Sequence, residues 1–151
     1  YCGLAPRRTP ESPVTAYIDA SVVLRVVFGQ PDALPEWKQI KRGVSSALIE
    51  TECLRTLDRF RLRANLSDEE VATRRAALLS FIASLEIAEV DAAVLERAAQ
   101  PMPTEIGTLD AIHLATALLW KDQTRTNLVM ATHDRALGLA ARAHGFMVVG
   151  I

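Results

Sequence analysis

The sequence predicts a three-layer α/β/α domain, with helices on both faces of a mostly parallel central sheet of about five strands. Two observations carry that expectation. Short β-like runs alternate with longer helical ones from Thr15 to the end of the chain, the pattern of βαβ units. At 151 residues, half of them hydrophobic and 23% charged, the chain suits one domain with a real core.

The elements follow in order. Thr15–Asp19 reads as a first strand feeding a short helix, Ser21–Phe28, stopped by Gly29 and Pro31. A second helical piece spans about Ala33–Ile40, with Pro35 tolerable in its first turn. Gly43–Ser45 is a short strand, and Ala47–Arg63 a long helix with apolar Leu48, Ile49, Leu54, Leu57, Phe60 and Leu62. Ser67-Asp68-Glu69-Glu70 is a capping box that opens a helix to about Ser84. Leu85–Val90 is a third strand, and Asp91 caps a helix that ends before Pro101. Thr108 caps the next helix, apolar almost throughout, which reaches about Lys121. Asn127–Thr132, Asp134–His144 and Phe146–Val149 complete the alternation as strand, helix and strand, with Gly145 as the helix stop.

Residues 1–13 read as a disordered N-terminal arm, carrying Pro6, Pro10 and Pro13 and little apolar periodicity. The domain proper is expected over residues 14–151. Arg7-Arg8 is followed by no hydrophobic stretch, so an export signal is not expected. No apolar run approaches the roughly 20 residues that cross a bilayer. Cys2 and Cys53 form no metal-ligand or redox spacing. A soluble, cytoplasmic protein is the expectation.

A formal charge of −1 argues against a protein that holds nucleic acid by a basic surface alone. Chemistry must come from local groups. In an open parallel sheet, ligands bind beyond the carboxyl ends of the strands. Asp19 ends the first strand, Glu52 lies early in the helix after the second, and Asp134 follows the fourth. Asp110 lies in the first turn of the Thr108 helix and is the only acid in Leu109–Trp120. Each has a plain alternative. Asp19 and Asp134 serve as N-caps, Asp110 complements the helix dipole, and Glu52 pairs with Arg55 or Arg59.

Together they say more. Several ionised carboxylates share a pocket only when a cation neutralises them. Oxygen ligands suit a hard ion, Mg²⁺ or Mn²⁺, rather than zinc. Such an ion polarises a phosphoryl oxygen and acidifies a water, and a free carboxylate orients that water or takes its proton.

Four strings occur in order: Tyr17-Ile18-Asp19-Ala20-Ser21, then Ser45 to Arg55, then Thr108-Leu109-Asp110-Ala111-Ile112-His113-Leu114-Ala115-Thr116-Ala117, then Ala131-Thr132-His133-Asp134. The set resembles PIN-domain ribonucleases and, at this length, the VapC-type toxins of bacterial type II toxin–antitoxin systems. The resemblance implies a PIN-like fold and an endoribonuclease that uses Mg²⁺ or Mn²⁺ on an RNA substrate. It further implies a homodimer and a cognate VapB-type antitoxin whose tail occupies the active-site groove. The family's acids match Asp19, Glu52, Asp110 and Asp134, as metal ligands and catalytic residues. Glu52-Cys53-Leu54-Arg55 fits the family's Glu-x-Leu-Arg string without a gap, whereas Glu50 lies about 200° around the helix. Ser21 and Thr132 stand where hydroxyls hold the carboxylates or a water, or simply cap local backbone.

Arg55, Arg59 and Arg63 form one stripe on the broad face of Glu52, facing RNA phosphates or an acidic antitoxin segment, or merely solvent. His113, three residues after Asp110, reads as a hydrogen-bonded core residue in preference to a ligand. Trp120 reads as core or dimer interface, and Trp37 as a candidate for base stacking. Ser21 in place of the second acid, and no Lys after Lys121, argue against a receiver-type signalling module. A phosphatase with an Asp-x-Asp pair fails at Ser21 as well. The alternatives that survive are a metal-dependent nuclease acting on DNA and a non-catalytic PIN-like binding module.

Overall fold

β1 (Val14–Ile18) lies at the centre of the sheet, and Ala16, Tyr17 and Ile18 are fully buried. Successive side chains point to opposite faces, so this one strand feeds two cores. The structure, a computed structural model, describes residues 13–31 and 34–151. The expected arm lies outside the described residues save for Pro13, as does the start of the expected second helical piece at Ala33.

The other strands are β2 (Ile40–Ser46), β3 (Glu86–Ala88), β4 (Leu128–Ala131) and β5 (Val148–Val149). They make one sheet of order β3-β2-β1-β4-β5, and every neighbouring pair is parallel. The helices are α1 (Ala20–Val27), α2 (Ile49–Ala64), α3 (Asp68–Ala83), α4 (Ala92–Ala98), α5 (Thr108–Thr124) and α6 (Arg135–Ala143). On one face, Ala16 and Ile18 pack with Val22, Val23, Ile49, Cys53, Leu57, Leu78 and Ile82 from α1, α2 and α3. On the other, Tyr17 and Val44 pack with Leu114, Ala117, Trp120, Leu137, Ala140 and Ala141 from α5 and α6. The expected three layers are present.

The order places a topological switch beside β1. The chain runs outward through β2 and β3, then crosses back to lay β4 on the other side of β1. A crevice therefore opens beyond the carboxyl ends of β1 and β4. The Asp19 amide donates to the Ala131 carbonyl at 3.0 Å and clamps the two ends together.

Several boundaries differ from the sequence reading, for local reasons. β2 begins at Ile40 rather than Gly43, because Lys41 and Arg42 extend along the sheet with exposed side chains. Arg42 lies over the Trp120 ring and pairs with Glu86 of β3, so its charge is satisfied within the strand pair. Before it, Pro35–Gln39 is a single 3₁₀ helix, too short to bury a face. β3 keeps only three of the six expected residues, β4 loses Asn127 and Thr132, and β5 shrinks to two residues. Gly107, not Thr108, occupies the N-cap of α5, without a side-chain bond, and the helix continues to Thr124.

Other local expectations hold. Ser67 and Glu70 exchange both capping-box bonds. Gly145 follows α6 at φ +84, a conformation that favours glycine. Trp120 is buried in the second core as expected, whereas Trp37 packs at a tilt against Phe81 instead of standing free for a base. Among the described residues, no helix is long and apolar enough to cross a membrane.

Candidate active site

Asp19 leaves β1 and caps α1 in the same step. Its Oδ2 accepts from the Ser21 hydroxyl at 2.6 Å, the Thr132 hydroxyl at 2.9 Å and, more weakly, the Ser21 amide at 3.4 Å. The carboxylate is 6% exposed. A buried carboxylate needs such donors, because each one replaces lost hydration of the charged form. All three bonds fall on Oδ2. Oδ1 accepts no hydrogen bond among the described residues.

Thr132, just past β4, is the hub of this half. It is fully buried, donates to Asp19 and accepts from the Asp134 amide at 2.9 Å. Ser21 meanwhile accepts from the His133 amide at 2.9 Å. Gly150 lies so close to this turn that a Cβ there would sit 2.3 Å from the Thr132 carbonyl oxygen, and its φ is +105. Only glycine lets the chain after β5 pass. Asp134 caps α6 through an Oδ1 bond from the Leu137 amide at 3.0 Å and is otherwise exposed. The capping alternative is therefore real for both Asp19 and Asp134, and it leaves one oxygen of each free to serve the crevice.

Glu52 reaches the same crevice from the first turn of α2. Its partner is neither Arg55 nor Arg59. The Glu52 Oε2 lies 2.8 Å from His113 Nε2, and His113 Nδ1 lies 2.7 Å from the Tyr17 hydroxyl. His113 is 1% exposed and Tyr17 fully buried. One ligand atom from each of Asp19, Glu52 and His113 falls within 4.8 Å of the others. Burial alone would pull the His113 imidazole down; the hydrogen bond and charge of Glu52, with Asp19 and Asp110, outweigh it and the net shift is upward. Glu50 is exposed on the far side of α2.

Asp110 comes from the first turn of α5, one turn before His113. Its carboxyl is pushed up to about 6, first by burial, then by the charges of Asp134, Asp19 and Glu52. His113 alone works against that rise. The group thus senses the three other acids at once. The structure clusters Asp19 and Glu52 with His113 and places Asp110 where the charges of Asp134, Asp19 and Glu52 act on it; Asp110 and Asp134 lie outside the three-residue cluster.

The donor set fits a hard divalent cation. Asp19, Glu52 and Asp134 each keep an oxygen that bonds to nothing among the described residues, and Asp110 keeps both. The Asp19 and Glu52 ligand oxygens lie within 4.8 Å of each other, and a cation between such carboxylates offsets their repulsion.

Arg55 and Arg59 line a groove of about 380 Å³ together with Ala20, Leu48, Thr51, Glu52, Thr56 and Leu109. The Arg55 guanidinium pairs with Asp58 at 3.0 Å, and Arg59 donates to the Thr56 hydroxyl at 3.1 Å. Both are exposed. A neighbouring pocket collects Arg59, Arg63 and Arg74 around Phe28 and Phe60.

The PIN domain family model matches residues 16–143, from β1 through α6. The chain belongs to the PIN domain family. Among characterised relatives of this PIN domain, Ribonuclease VapC46 of Mycobacterium tuberculosis is 34% identical over 137 residues, covering 88% of this chain and 95% of that one. Ribonuclease VapC35 of the same organism is 32% identical over 142 residues, covering 88% and 94%. Among solved structures, PAE2754 from Pyrobaculum aerophilum shares the fold at a TM-score of 0.60 and 19% identity, over 90% of this chain and 84% of that one.

Sequence reasoning kept His113 as a core residue and passed over Tyr17. The first reading is right about burial and incomplete about contact, since the residue also holds an acid of the site. Two signals were available. His113 stands three residues from Asp110 on one helix face, and Tyr17 stands two residues from Asp19 on one strand face.

Proposed function

We propose that this PIN domain is a Mg²⁺- or Mn²⁺-dependent endoribonuclease toxin, with Asp19, Glu52, Asp110 and Asp134 as its metal-holding and catalytic residues. The observation that carries the reading is that Asp19 and Glu52, from separate elements, bring carboxylate oxygens within 4.8 Å of each other and of His113, with Asp110 close enough to feel both charges. RNA as substrate is supported by the relatives at 32–34% identity, both of them ribonucleases by name. The reading extends to residues 14–151 as the nuclease unit, with residues 1–13 as an appended arm.

When bound, the cation neutralises the carboxylates, polarises the phosphodiester and makes water acidic enough to attack near neutral pH. The chain's own residues do the rest. Ser21 and Thr132 fix the Asp19 rotamer through Oδ2 and leave Oδ1 facing the crevice. Asp134 is the most open acid, and its Oδ2 is suited to orient the attacking water and take its proton. Arg55 and Arg59 extend the site along α2, where guanidinium groups meet successive backbone phosphates.

The same groove is where a VapB-type antitoxin tail would exclude RNA, with Leu109, 52% exposed, offering apolar contact beside the two arginines. Homodimerisation and a cytoplasmic setting accompany this reading as implications of the family resemblance. Purified protein is incubated with RNA, single-stranded DNA and double-stranded DNA, each with Mg²⁺, Mn²⁺ or EDTA. RNA is cleaved only with metal. Equal cleavage in EDTA removes the mechanism, and cleavage of DNA in preference to RNA establishes the alternative substrate.

A further inference from the structure

His113 occupies an unusual place: both ring nitrogens are engaged, one by an acid of the site and one by a buried phenol. We propose that His113, steadied by Tyr17, is the positioning residue that holds Glu52 in the crevice, and that it is not itself a metal ligand. This deepens the reading above and rests on it.

Hydrogen-bond chemistry decides between holder and ligand. An ionised carboxylate only accepts, so the 2.8 Å contact requires a proton on Nε2. That holds for the neutral ring and the protonated ring alike. In either form Nε2 has no lone pair for a cation. Nδ1 is occupied at 2.7 Å by the Tyr17 hydroxyl, which donates to a neutral ring and accepts from a charged one. Both contacts persist, and the ring plane is held from both ends.

Packing supports the same role. The Tyr17 and His113 rings meet edge to face, with centroids 5.9 Å apart, and neither is more than 1% exposed. The imidazole is therefore set by the sheet, through β1, and by α5. Glu52 sits on α2, across the sheet from both. The His113–Glu52 bond ties the two helical layers together at the site, and its geometry is transmitted to the carboxylate. Oε2 carries this bond, and Oε1 accepts none among the described residues. Partners of this kind typically contribute about 10–100-fold to metal affinity or activity when removed.

The test compares wild type with His113→Gln, His113→Ala and Tyr17→Phe. Mn²⁺ affinity is read from the free-ion electron paramagnetic resonance signal, folding from thermal melts, and RNA cleavage as kcat and KM. Pulsed resonance on bound Mn²⁺ reads any directly coordinated nitrogen, and long-range ¹H–¹⁵N correlation reads the His113 tautomer with and without Mg²⁺. The expected results are a protonated Nε2 in both states and no nitrogen coordinated to Mn²⁺. His113→Ala weakens Mn²⁺ binding about 10–100-fold and lowers kcat with KM nearly unchanged. His113→Gln, whose amide still donates to Glu52, recovers most of the affinity although its melt is lowered like that of the alanine variant. Tyr17→Phe gives a smaller loss. A coordinated imidazole nitrogen, an unprotonated Nε2, or His113→Ala binding Mn²⁺ like wild type overturns the proposal and leaves the nuclease reading standing. A wild-type protein that binds no Mn²⁺ overturns both.

Discussion

The crevice has two halves that are built differently. Asp19 and Glu52 are fastened by side chains from other elements: Asp19 by Ser21 and Thr132, Glu52 by His113. Asp110 and Asp134 are not. Asp134 bonds only the amide of its own helix cap, and Asp110 accepts nothing among the described residues. The carboxyl pushed up to about 6 belongs to the unfastened half. The contrast teaches how a protein stores four acids in one place. Two are fastened by donors the fold supplies, and the acid without one is pushed up first by its burial and then by the charges of the others. The first half is fastened by the fold itself, and the second is not.

The largest expected effect comes from removing one charge from either half. Asp19→Asn and Asp110→Asn each lower RNA cleavage by roughly 10²–10⁴-fold, the scale of a lost catalytic group. They differ in stability. In the absence of metal, Asp110→Asn melts at the same or a higher temperature than wild type, because it removes repulsion. Asp19→Asn melts lower, because Ser21 and Thr132 lose a charged acceptor. Parallel melts and initial rates check both, and the same shift in both variants would erase the distinction.

Next in size is the choice of glutamate on α2. Glu52→Gln is expected to lower cleavage about 10²-fold or more, and Glu50→Gln, exposed on the opposite side, to leave it within about twofold. The reverse order would mean that the site is assembled from the other face of the helix.

A pH experiment sharpens the comparison further. Asp110 has an ordinary value of 3.8 and a folded value of about 6, so the folded state holds its proton more tightly than the unfolded chain. Its contribution to stability is fully present below 3.8 and is lost as pH rises through about 6. His113, also shifted upward, acts with the same sign. Metal-free wild type should therefore lose stability relative to Asp110→Asn across that window, and saturating Mg²⁺ should remove the difference. A gap that is independent of pH would place the repulsion elsewhere.

The smallest effect concerns the approach to the site. Each of Arg55→Gln and Arg59→Gln, in an otherwise inactive Asp19→Asn background, should weaken RNA binding and reduce the salt slope by about 0.7 per lost phosphate contact. Arg125→Gln, at the far end of α5, should leave the slope unchanged. Filter binding at several salt concentrations reads it.

Much of this was legible in the chain itself. The alternation of elements exposed the fold class, and Asp19, Asp110 and Asp134 stood at helix starts where any reader would look. Glu52 needed its neighbours Leu54 and Arg55 to be singled out from Glu50. The sheet order was not legible, because nothing in β4 states that it pairs with β1 rather than with β3. The lengths of β2 and β3 were hidden for a similar reason. Lys41 and Arg42 look like a loop until Glu86 and Trp120 are seen to satisfy and cover Arg42. The Tyr17–His113–Glu52 chain joins residues 61 and 96 positions apart in sequence, and no local pattern reports such a contact.

The titration of the Asp110 carboxyl, followed by ¹³C nuclear magnetic resonance with and without Mg²⁺, tests the shared cavity most directly. A midpoint near 6 in the free protein that drops by a unit or more when Mg²⁺ is added is the expected result. A midpoint near 3.8 that ignores Mg²⁺ would mean that Asp110 stands apart from the other acids, and that no cation gathers them.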